Sequence, residues 1–318
     1  MNTPVTIVIP CFNYGRFVRA AVRSALAQLN ADVRVVVVND GSTDRRSARD
    51  CDACAGDRVT VIHQENRGLP AARNRGAATA TTEFLAFLDA DDTLEPTCIR
   101  DLAAAIRAED AAGRGHDVSH AYGQQRIRMR GSEFVWKVPA WDPGLLMITN
   151  LHPPTALVRR SAFLAVRGFD ETMRDGYEDW DFWLRFASHG FRGVRVCRPV
   201  YTWRRHSDRT MISGAVERHE AIYRRIVANH PALFEKRGDE ALLRMNVLLR
   251  RHDMNWLDES LEPIPLVKLK AQRDRYEAMP AVRMHHALHR AILALPRPAA
   301  SAARAGLSGV KRLLTRRP

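Results

Sequence analysis

The chain has 318 residues, of which 46% are hydrophobic and 27% are charged. That composition is ordinary for a folded globular protein, so it excludes a disordered chain and a fibrous one. The formal net charge of +13 at pH 7 is typical of proteins with anionic partners, such as nucleic acid, a lipid surface or a phosphorylated substrate.

The first fifteen residues, MNTPVTIVIPCFNYG, predict a strand. No positive segment precedes the apolar run, which stops at Pro10, so the pattern does not match a signal peptide. A membrane-spanning helix needs about 18 uninterrupted apolar residues, and the sequence shows no such run. We therefore expect a cytoplasmic protein, either free or peripheral on the inner face of the cell membrane.

The five cysteines, an odd number without an export signal, predict reduced thiols. Cys51 and Cys54 form a CxxC pair. A zinc site needs a second ligand pair at suitable spacing, and the sequence offers none, so we do not expect metal or redox chemistry there.

Apolar runs alternate with helical patterns from residue 5 to residue 122. The runs predict strands at 5–9, 33–38, 58–62, 84–88 and 117–122, with helices at 16–28, 43–55, 69–79 and 95–108. Runs that are apolar on both faces, such as VRVVVV, are typical of strands covered by helices on both sides. The order predicts an open, mostly parallel α/β sheet whose ligands lie beyond the carboxyl ends of its strands.

The second half of the chain is less regular. It predicts a strand at 155–160, a helix at 177–188, and helices from residue 214 onward. Residues 263–318 hold twelve Lys or Arg against two Asp or Glu, a net charge of +10. We therefore expect two domains, a catalytic one over residues 1–213 and a helical, basic extension over residues 214–318.

Polar loops follow four consecutive predicted strands: CFNYG, NDGSTD, NRGLPAARNRG and DADD. In the last, Asp89 and Asp91 emerge at the ligand-binding edge of the sheet. Two carboxylates at this spacing suit Mg²⁺ or Mn²⁺, which keeps other positions for diphosphate oxygens and water. The alternative is that Asp92 or Thr93 only caps the next helix.

The loop after the second strand offers Asp40 as an acceptor for the imino N–H of a pyrimidine, and Asn13 or Tyr14 lies where it could contact or stack on the base. NDGSTD is also ordinary turn chemistry, so a purely structural loop is the alternative. Arg73 begins a helical run after a glycine-containing loop, where cationic side chains and helix N–H groups both favour phosphate.

Five segments in this order resemble the family 2 inverting glycosyltransferases of the GT-A fold. They are VTIVIPCFNYGRFV, VVVVNDGSTD, NRGLPAARNRG, FLAFLDADD and GFDETMRDGYEDWDFWLR. The resemblance covers roughly residues 3–210 and implies a GT-A nucleotide-sugar-binding fold. It implies transfer of a sugar from a nucleotide-diphosphate donor, expected to be a UDP-sugar, to a glycan or lipid-linked acceptor. Synthesis of cell-surface polysaccharide or lipopolysaccharide is the expected context.

The same resemblance implies roles for particular residues. Pro10, Asn13 and Asp40 correspond to nucleoside contacts, Arg73 to a donor contact, Asp89 and Asp91 to the DxD pair, and Asp179 to the general base. His206 matches a position at which some members place a His or Arg near the diphosphate, and it is a candidate metal ligand. A solvated surface histidine is the alternative for His206.

Asp179 is predicted to lie in the first turn of a helix, whose positive end favours the ionised carboxylate that a base needs. Simple N-terminal capping by Glu178, Asp179 or Asp181 is the alternative. His152, before two prolines, is a weaker candidate for the lining of the acceptor cleft.

The end of the chain carries basic residues every seven positions, at Arg283, Arg290, Arg297, Arg304 and Lys311. With the apolar stripes between them they predict basic amphipathic helices, and residues 281–318 become a candidate for binding an anionic membrane surface. The alternative is that these helices pack on the catalytic domain. A non-enzymatic binder of nucleic acid or of an anionic surface is the competing function, but the tail has no base-reading motif, so no nucleic acid is expected.

Overall fold

The computed structural model describes residues 2–129, 132–204, 214–215 and 217–253. The strands are β1 (Thr3–Cys11), β2 (Ala31–Asp40), β3 (Val59–Gln64), β4 (Phe84–Phe87), β5 (Thr93–Leu94), β6 (Val118–Met129), β7 (Ser132–Trp136), β8 (Leu157–Arg159) and β9 (Arg192–Arg204). The helices are α1 (Gly15–Leu26), α2 (Ser47–Asp52), α3 (Leu69–Ala78), α4 (Cys98–Ala111), α5 (Pro143–Leu146), α6 (Arg160–Ala165), α7 (Glu178–Ser188), α8 (His219–Asn229) and α9 (Pro231–Asp253).

The strands form one mixed sheet in the order β3-β2-β1-β4-β8-β6-β9-β5, and β7, off this path, pairs with the last residues of β6. Strands β3, β2, β1 and β4 run parallel. Strand β8 is antiparallel to both β4 and β6, and β9 then runs parallel to β6. The predicted α/β architecture is confirmed, and the half of the sheet after β4 adds antiparallel pairs that the alternation of strands and helices did not reveal.

Two hydrophobic cores cover the two faces of the sheet. Val35 and Val37 pack into the core beneath α1 and α4, while Val36 and Val38 pack into the core that α7 covers. Successive residues of a strand point to opposite faces, so the valines at 35–38 supply side chains to both cores. These layers fix the carboxyl ends of β1, β2 and β4 at a common edge.

Two helices differ from the sequence-based prediction. Helix α2 begins at Ser47 rather than residue 43, because the Asp44 carboxylate accepts the backbone N–H groups of Arg46 and Ser47. Helix α4 begins at Cys98 rather than residue 95, because Thr93 and Leu94 pair with β9. Asp92 and Thr93 therefore do not cap α4, whose N-cap is Thr97.

The helices after residue 214 pack against the back of α7. Asp181, which is completely buried, accepts hydrogen bonds from His230 Nε2 and from the Asn229 amide, both at 2.9 Å. Contacts divide the chain into two compact units, Met1–Leu249 and Arg250–Pro318. The predicted boundary after residue 213, His206 and the basic segment 281–318 fall outside the described residues. Among the described helices, none is long and apolar enough to cross a membrane.

Candidate active site

Three carboxylates follow β4 directly. Asp89 has a side chain that is 40% exposed, whereas Asp92 is buried and accepts the backbone N–H of Arg204 at 2.9 Å. Burial, and then the neighbouring charge of Asp89, raises the pKa of Asp91 to about 6. Burial, and then the charges of Asp91 and Asp89, raises the pKa of Asp92 well above its usual range. The loop therefore concentrates negative charge that a bound cation would stabilise.

The described residues hold no group of three or more His, Cys, Asp or Glu side chains arranged as a complete metal site. Asp89 and Asp91 nevertheless suit Mg²⁺ or Mn²⁺, because such ions take one or two carboxylates and complete their shell with phosphate oxygens and water. Burial, and then the charge of Asp89, raises the pKa of Asp91, and this uncompensated negative charge favours a cation held by the two carboxylates. The donor set fits a metal held jointly by protein and nucleotide.

Arg73, in α3, connects the DxD loop to the start of α7. Its guanidinium donates to Glu178 Oε1 at 2.6 Å and to Asp89 Oδ1 at 2.9 Å. Only 1% of the Arg73 side chain is exposed, and its charged group also lies over the ring of Phe169. A donor contact by Arg73, as the resemblance implies, would need Asp89 or Glu178 to move aside.

Asp179 lies in the first turn of α7 and is half-buried. Its Oδ2 accepts from the Asn150 amide at 2.9 Å, and its Oδ1 accepts from the backbone N–H of Trp180 at 2.8 Å. Burial, and then the charge of Glu178, raises the pKa of Asp179 to about 7. Burial therefore outweighs the lowering effects of Arg73, the Trp180 N–H and the Asn150 amide on this pKa. A pKa near 7 still suits a general base at neutral pH.

The capping alternative for this helix holds only in part. The N-cap is Tyr177, which adopts a left-handed conformation and makes no side-chain capping hydrogen bond, and Asp179 accepts the first-turn N–H of Trp180. Glu178 bonds Arg73 instead, and Asp181 faces the opposite side and bonds His230. The three acidic residues therefore have three separate partners.

The loops after β1 and β2 are joined by Asn13. Its Oδ1 accepts the backbone N–H groups of Thr43 at 2.8 Å and Asp44 at 3.1 Å, and its amide donates to Thr43 Oγ1 at 3.0 Å. Asn13 adopts a left-handed φ of 59°, which asparagine tolerates better than most residues. We call this arrangement the Asn13 clasp, and it holds the two loops in one fixed relation.

The remaining nucleoside candidates occupy different environments. Pro10 is buried at the end of β1, opposite Val38. Asp40 is also buried, and its two oxygens accept from the Gln64 amide and from the backbone N–H groups of Arg67 and Gly68. Tyr14 is 41% exposed, and burial followed by the charge of Asp91 raises its pKa. Tyr14 is thus brought near the DxD carboxylates, whereas Asp40 shapes the loop that leads into α3.

His152 does not line a cleft. It is 1% exposed and packs between Tyr122 and Trp183, with its Nε2 3.2 Å from His120 Nε2. Burial lowers the pKa of His152 to about 3. The weaker candidate from the sequence is therefore a core residue.

Sequence reasoning missed two residues beside the predicted ones. Arg204 donates from its backbone to Asp92 and from Nε to the Asp91 carbonyl. The two adjacent arginines of the segment YTWRRH could have indicated this residue in the sequence. Asn150 holds Asp179, and nothing in its local sequence marks it.

The sequence model of glycosyl transferase family 2 matches residues 6–167, just over half of the chain. The protein therefore belongs to glycosyl transferase family 2. The predicted family is confirmed, and the family match extends from β1 through the DxD loop to α6 and ends before α7.

Curated relatives and solved structures agree with this assignment. The putative glycosyltransferase EpsE of Bacillus subtilis is 29% identical over 212 residues, which cover 64% of this chain and 74% of EpsE. An uncharacterized glycosyltransferase of Nostoc sp. is 35% identical over 124 residues, and the match spans only 38% of each chain. The crystal structure of S. aureus TarS 1–349 superposes with a TM-score of 0.57 at 20% identity, covering 96% of this chain and 87% of that one. TarS 1–349 is also known in complex with UDP-GlcNAc. The structural likeness confirms the GT-A fold.

Proposed function

We propose that the protein is an inverting glycosyltransferase that transfers a sugar from a nucleotide-diphosphate donor to an acceptor hydroxyl. The observation that carries the proposal is the bridge from Asp89 through Arg73 to Glu178, which brings the DxD loop and the Asp179 helix to one edge of the sheet. A divalent cation held by Asp89 and Asp91 would neutralise charge that develops on the departing diphosphate.

Asp179 is proposed as the general base. Its carboxylate takes the proton of the acceptor hydroxyl, and the resulting oxygen forms a bond to the anomeric carbon. The bond from that carbon to the diphosphate oxygen breaks on the opposite side, so the configuration inverts and the nucleoside diphosphate leaves. The hydrogen bond from Asn150 keeps the carboxylate oriented toward the hydroxyl it must deprotonate.

A UDP-sugar is the proposed donor. Support comes from TarS, whose N-terminal part was crystallised with UDP-GlcNAc and shares this fold. Tyr14, exposed beside the DxD carboxylates, is the proposed contact to the nucleotide, together with the loops that the Asn13 clasp joins. The acceptor is proposed to be a glycan or lipid-linked saccharide of a surface polysaccharide.

Calorimetric titration with Mn²⁺ and a panel of sugar nucleotides tests this proposal, with release of nucleoside diphosphate as the second readout. Metal-dependent binding of one donor that is lost in Asp91→Ala supports it and identifies the donor. The matched control is Asp57→Ala, an exposed carboxylate on another loop, which should bind as the wild type does. A wild-type protein that binds no sugar nucleotide in the presence of metal contradicts the proposal.

Residues 281–318 are proposed to hold the enzyme at an anionic membrane surface, because their basic residues recur with helical spacing. Co-sedimentation with vesicles of anionic and of neutral lipid tests this. At low salt, deletion of residues 281–318 should reduce binding to anionic vesicles and leave sugar-nucleotide binding unchanged. Deletion without effect on sedimentation contradicts the tail's role. Salt-dependent binding of DNA by a chain with no transferase activity would favour the competing function.

A further inference from the structure

Strand β7 exposes two large aromatic side chains at the edge of the sheet. Phe134 is 50% exposed and Trp136 is 40% exposed. Residues two apart in a strand point to the same face, so the two rings project from one face of β7. We call Phe134 and Trp136 the aromatic platform.

The strand register relates the aromatic platform to the candidate active site. Trp136 lies opposite Gln125, and Phe134 lies opposite Ile127. On the other side of β6, Gln125 pairs with Tyr201 and Ile127 pairs with Trp203 of β9. Directly paired residues share a face, so two rows of side chains cross the three strands, from Tyr201 to Trp136 and from Trp203 to Phe134.

The inner end of the first row lies beside the DxD loop, since Tyr201 pairs with Leu94, three residues after Asp91. The buried hydroxyl of Tyr201 donates to Gln125 Oε1. Burial, and then the charges of Asp92, Asp89 and Asp179, raises the pKa of Tyr201 well above its usual range. The platform is two strand spacings away from Tyr201, roughly 10 Å. That distance exceeds the length of one monosaccharide.

The opposite face of the same hairpin has a different chemistry. Glu133 accepts from Arg126 at 2.9 Å and from Arg128 at 3.0 Å, and Arg126 also pairs with Glu95. One face of the hairpin thus carries charged pairs and the exposed aliphatic residue Val135, while two rings lie exposed on the other. Exposed apolar area at a sheet edge invites association, so a surface of this kind suggests a ligand.

We propose that the aromatic platform binds the acceptor glycan by stacking on its sugar rings, at a subsite beyond the sugar that receives the transferred unit. The inference rests on the proposed transferase function. The faces of aromatic rings carry partial negative charge and attract the polarised C–H groups on the flat side of a pyranose. Because Tyr201 pairs with Leu94 just after the DxD loop, a chain held on the platform extends along the first row toward that loop. The partner is therefore an oligosaccharide rather than a single sugar.

A printed array of oligosaccharides with one to six residues tests the platform directly, with calorimetry on the strongest hit. Phe134→Leu/Trp136→Leu keeps apolar bulk but removes the flat rings, and we expect affinity to fall about tenfold or more. Phe134→Tyr/Trp136→Tyr keeps the rings and should retain most of the affinity. The matched control is Leu242→Ala/Leu243→Ala, which alters two other exposed apolar residues and should change nothing.

Binding of Mn²⁺ and the sugar nucleotide, measured on the same preparations, separates this inference from the proposed function. If the wild type binds no donor, the transferase proposal fails whatever the array shows. If it binds donor normally but retains no oligosaccharide, or binds one equally well in the leucine variant, the platform inference fails alone. A leucine variant that changes only the oligomeric state in ultracentrifugation also overturns it, and identifies β7 as an interface between copies of the chain.

Discussion

Arg73 donates to Glu178 across a separation of 105 residues, and the two atoms are 2.6 Å apart. Glu178 is 5% exposed and immediately precedes Asp179. The same guanidinium holds Asp89 of the DxD loop. A single buried cation therefore connects the residues proposed to serve the donor with the helix that carries the proposed base.

Arg73→Lys should lower both stability and turnover. Lysine keeps the charge but lacks the planar fork that reaches two carboxylates, so Asp89 or Glu178 loses its partner. We expect the free energy of unfolding to fall by about 1–3 kcal/mol, measured by urea denaturation. We expect a larger loss in kcat than in nucleotide affinity.

The control is Arg75→Lys, an exposed arginine on the same helix. It should leave the free energy of unfolding and kcat unchanged. Equal effects of the two substitutions would show that the bridge has no special role.

Glu178→Gln and Asn150→Ala should shift the pH profile in opposite directions. The acidic limb of kcat/KM reports the base in the free enzyme, and it should lie near the pKa of Asp179, about 7. Removing the negative charge of Glu178 lowers that pKa, so the limb moves to lower pH. Removing the Asn150 hydrogen bond raises it, so the limb moves to higher pH. We expect displacements of about one pH unit each, measured from pH 5 to 9.

Glu235→Gln serves as the control for this pair, because Glu235 is an exposed carboxylate on α9. Its profile should overlay that of the wild type. Limbs that move in the same direction in Glu178→Gln and Asn150→Ala would mean that Asp179 is not the titrating base.

Asp179→Asn should abolish transfer yet stabilise the fold at alkaline pH. The folded-state pKa of Asp179 is raised, so ionisation costs stability, beginning near the unfolded-state pKa of about 3.9 and becoming complete above about 7. The amide removes this cost, and we expect a gain of roughly 1–3 kcal/mol at pH 8 that shrinks toward zero at pH 4. Urea denaturation at both pH values measures it. A gain that does not depend on pH would point to a packing effect instead.

His120 and His152 should make the fold sensitive to acid. His152 Nδ1 lies 3.0 Å from the Pro153 carbonyl, which can only accept, so Nδ1 carries the proton of the neutral ring and Nε2 faces His120 Nε2 without one. Burial lowers the pKa of both rings, that of His152 to about 3. Their contribution to stability is present above about pH 6.5 and is lost as the pH falls, at about 1.4 kcal/mol per unit for each ring.

His152→Gln should therefore reduce the slope of unfolding free energy against pH between 6.5 and 5, although it also lowers stability at pH 7.5. Denaturation curves at three pH values give the slope. His116→Gln, at an exposed position, is the control and should leave the slope unchanged. An unaltered slope in His152→Gln would contradict the conclusion that both histidines are uncharged in the folded protein.

The sequence predicts the sheet edge well, because strand periodicity and the positions of polar loops are local properties. VRVVVV and FLAFL become β2 and β4, and the carboxylates of DADD emerge where expected. The start of α2 was missed because it depends on Asp44 and on Asn13, which lies 30 residues before Thr43. Short strands such as β5 form only through pairing with β9, which a local pattern does not contain.

Residue identities at the candidate site were easier to predict than their contacts. Arg73 and Asp179 were selected from their motifs, but the burial of Arg73 between two carboxylates and the raised pKa of Asp179 follow from tertiary packing. His152 shows the opposite error. Its position before two prolines suggested that it lines the acceptor cleft, whereas Trp183 and Tyr122 enclose it.

The Asn13 clasp has a consequence for how variants of this enzyme arise. The Asn13 side chain accepts from the backbone N–H groups of Thr43 and Asp44, and the Gly15 N–H donates to Ser47 Oγ across the same two loops. Residues 12–15 and 42–47 therefore depend on each other, because a change of length or register in either loop removes hydrogen bonds that the other loop needs. Chimeras that exchange both segments with a family relative should keep a working donor pocket, while those that exchange one should not.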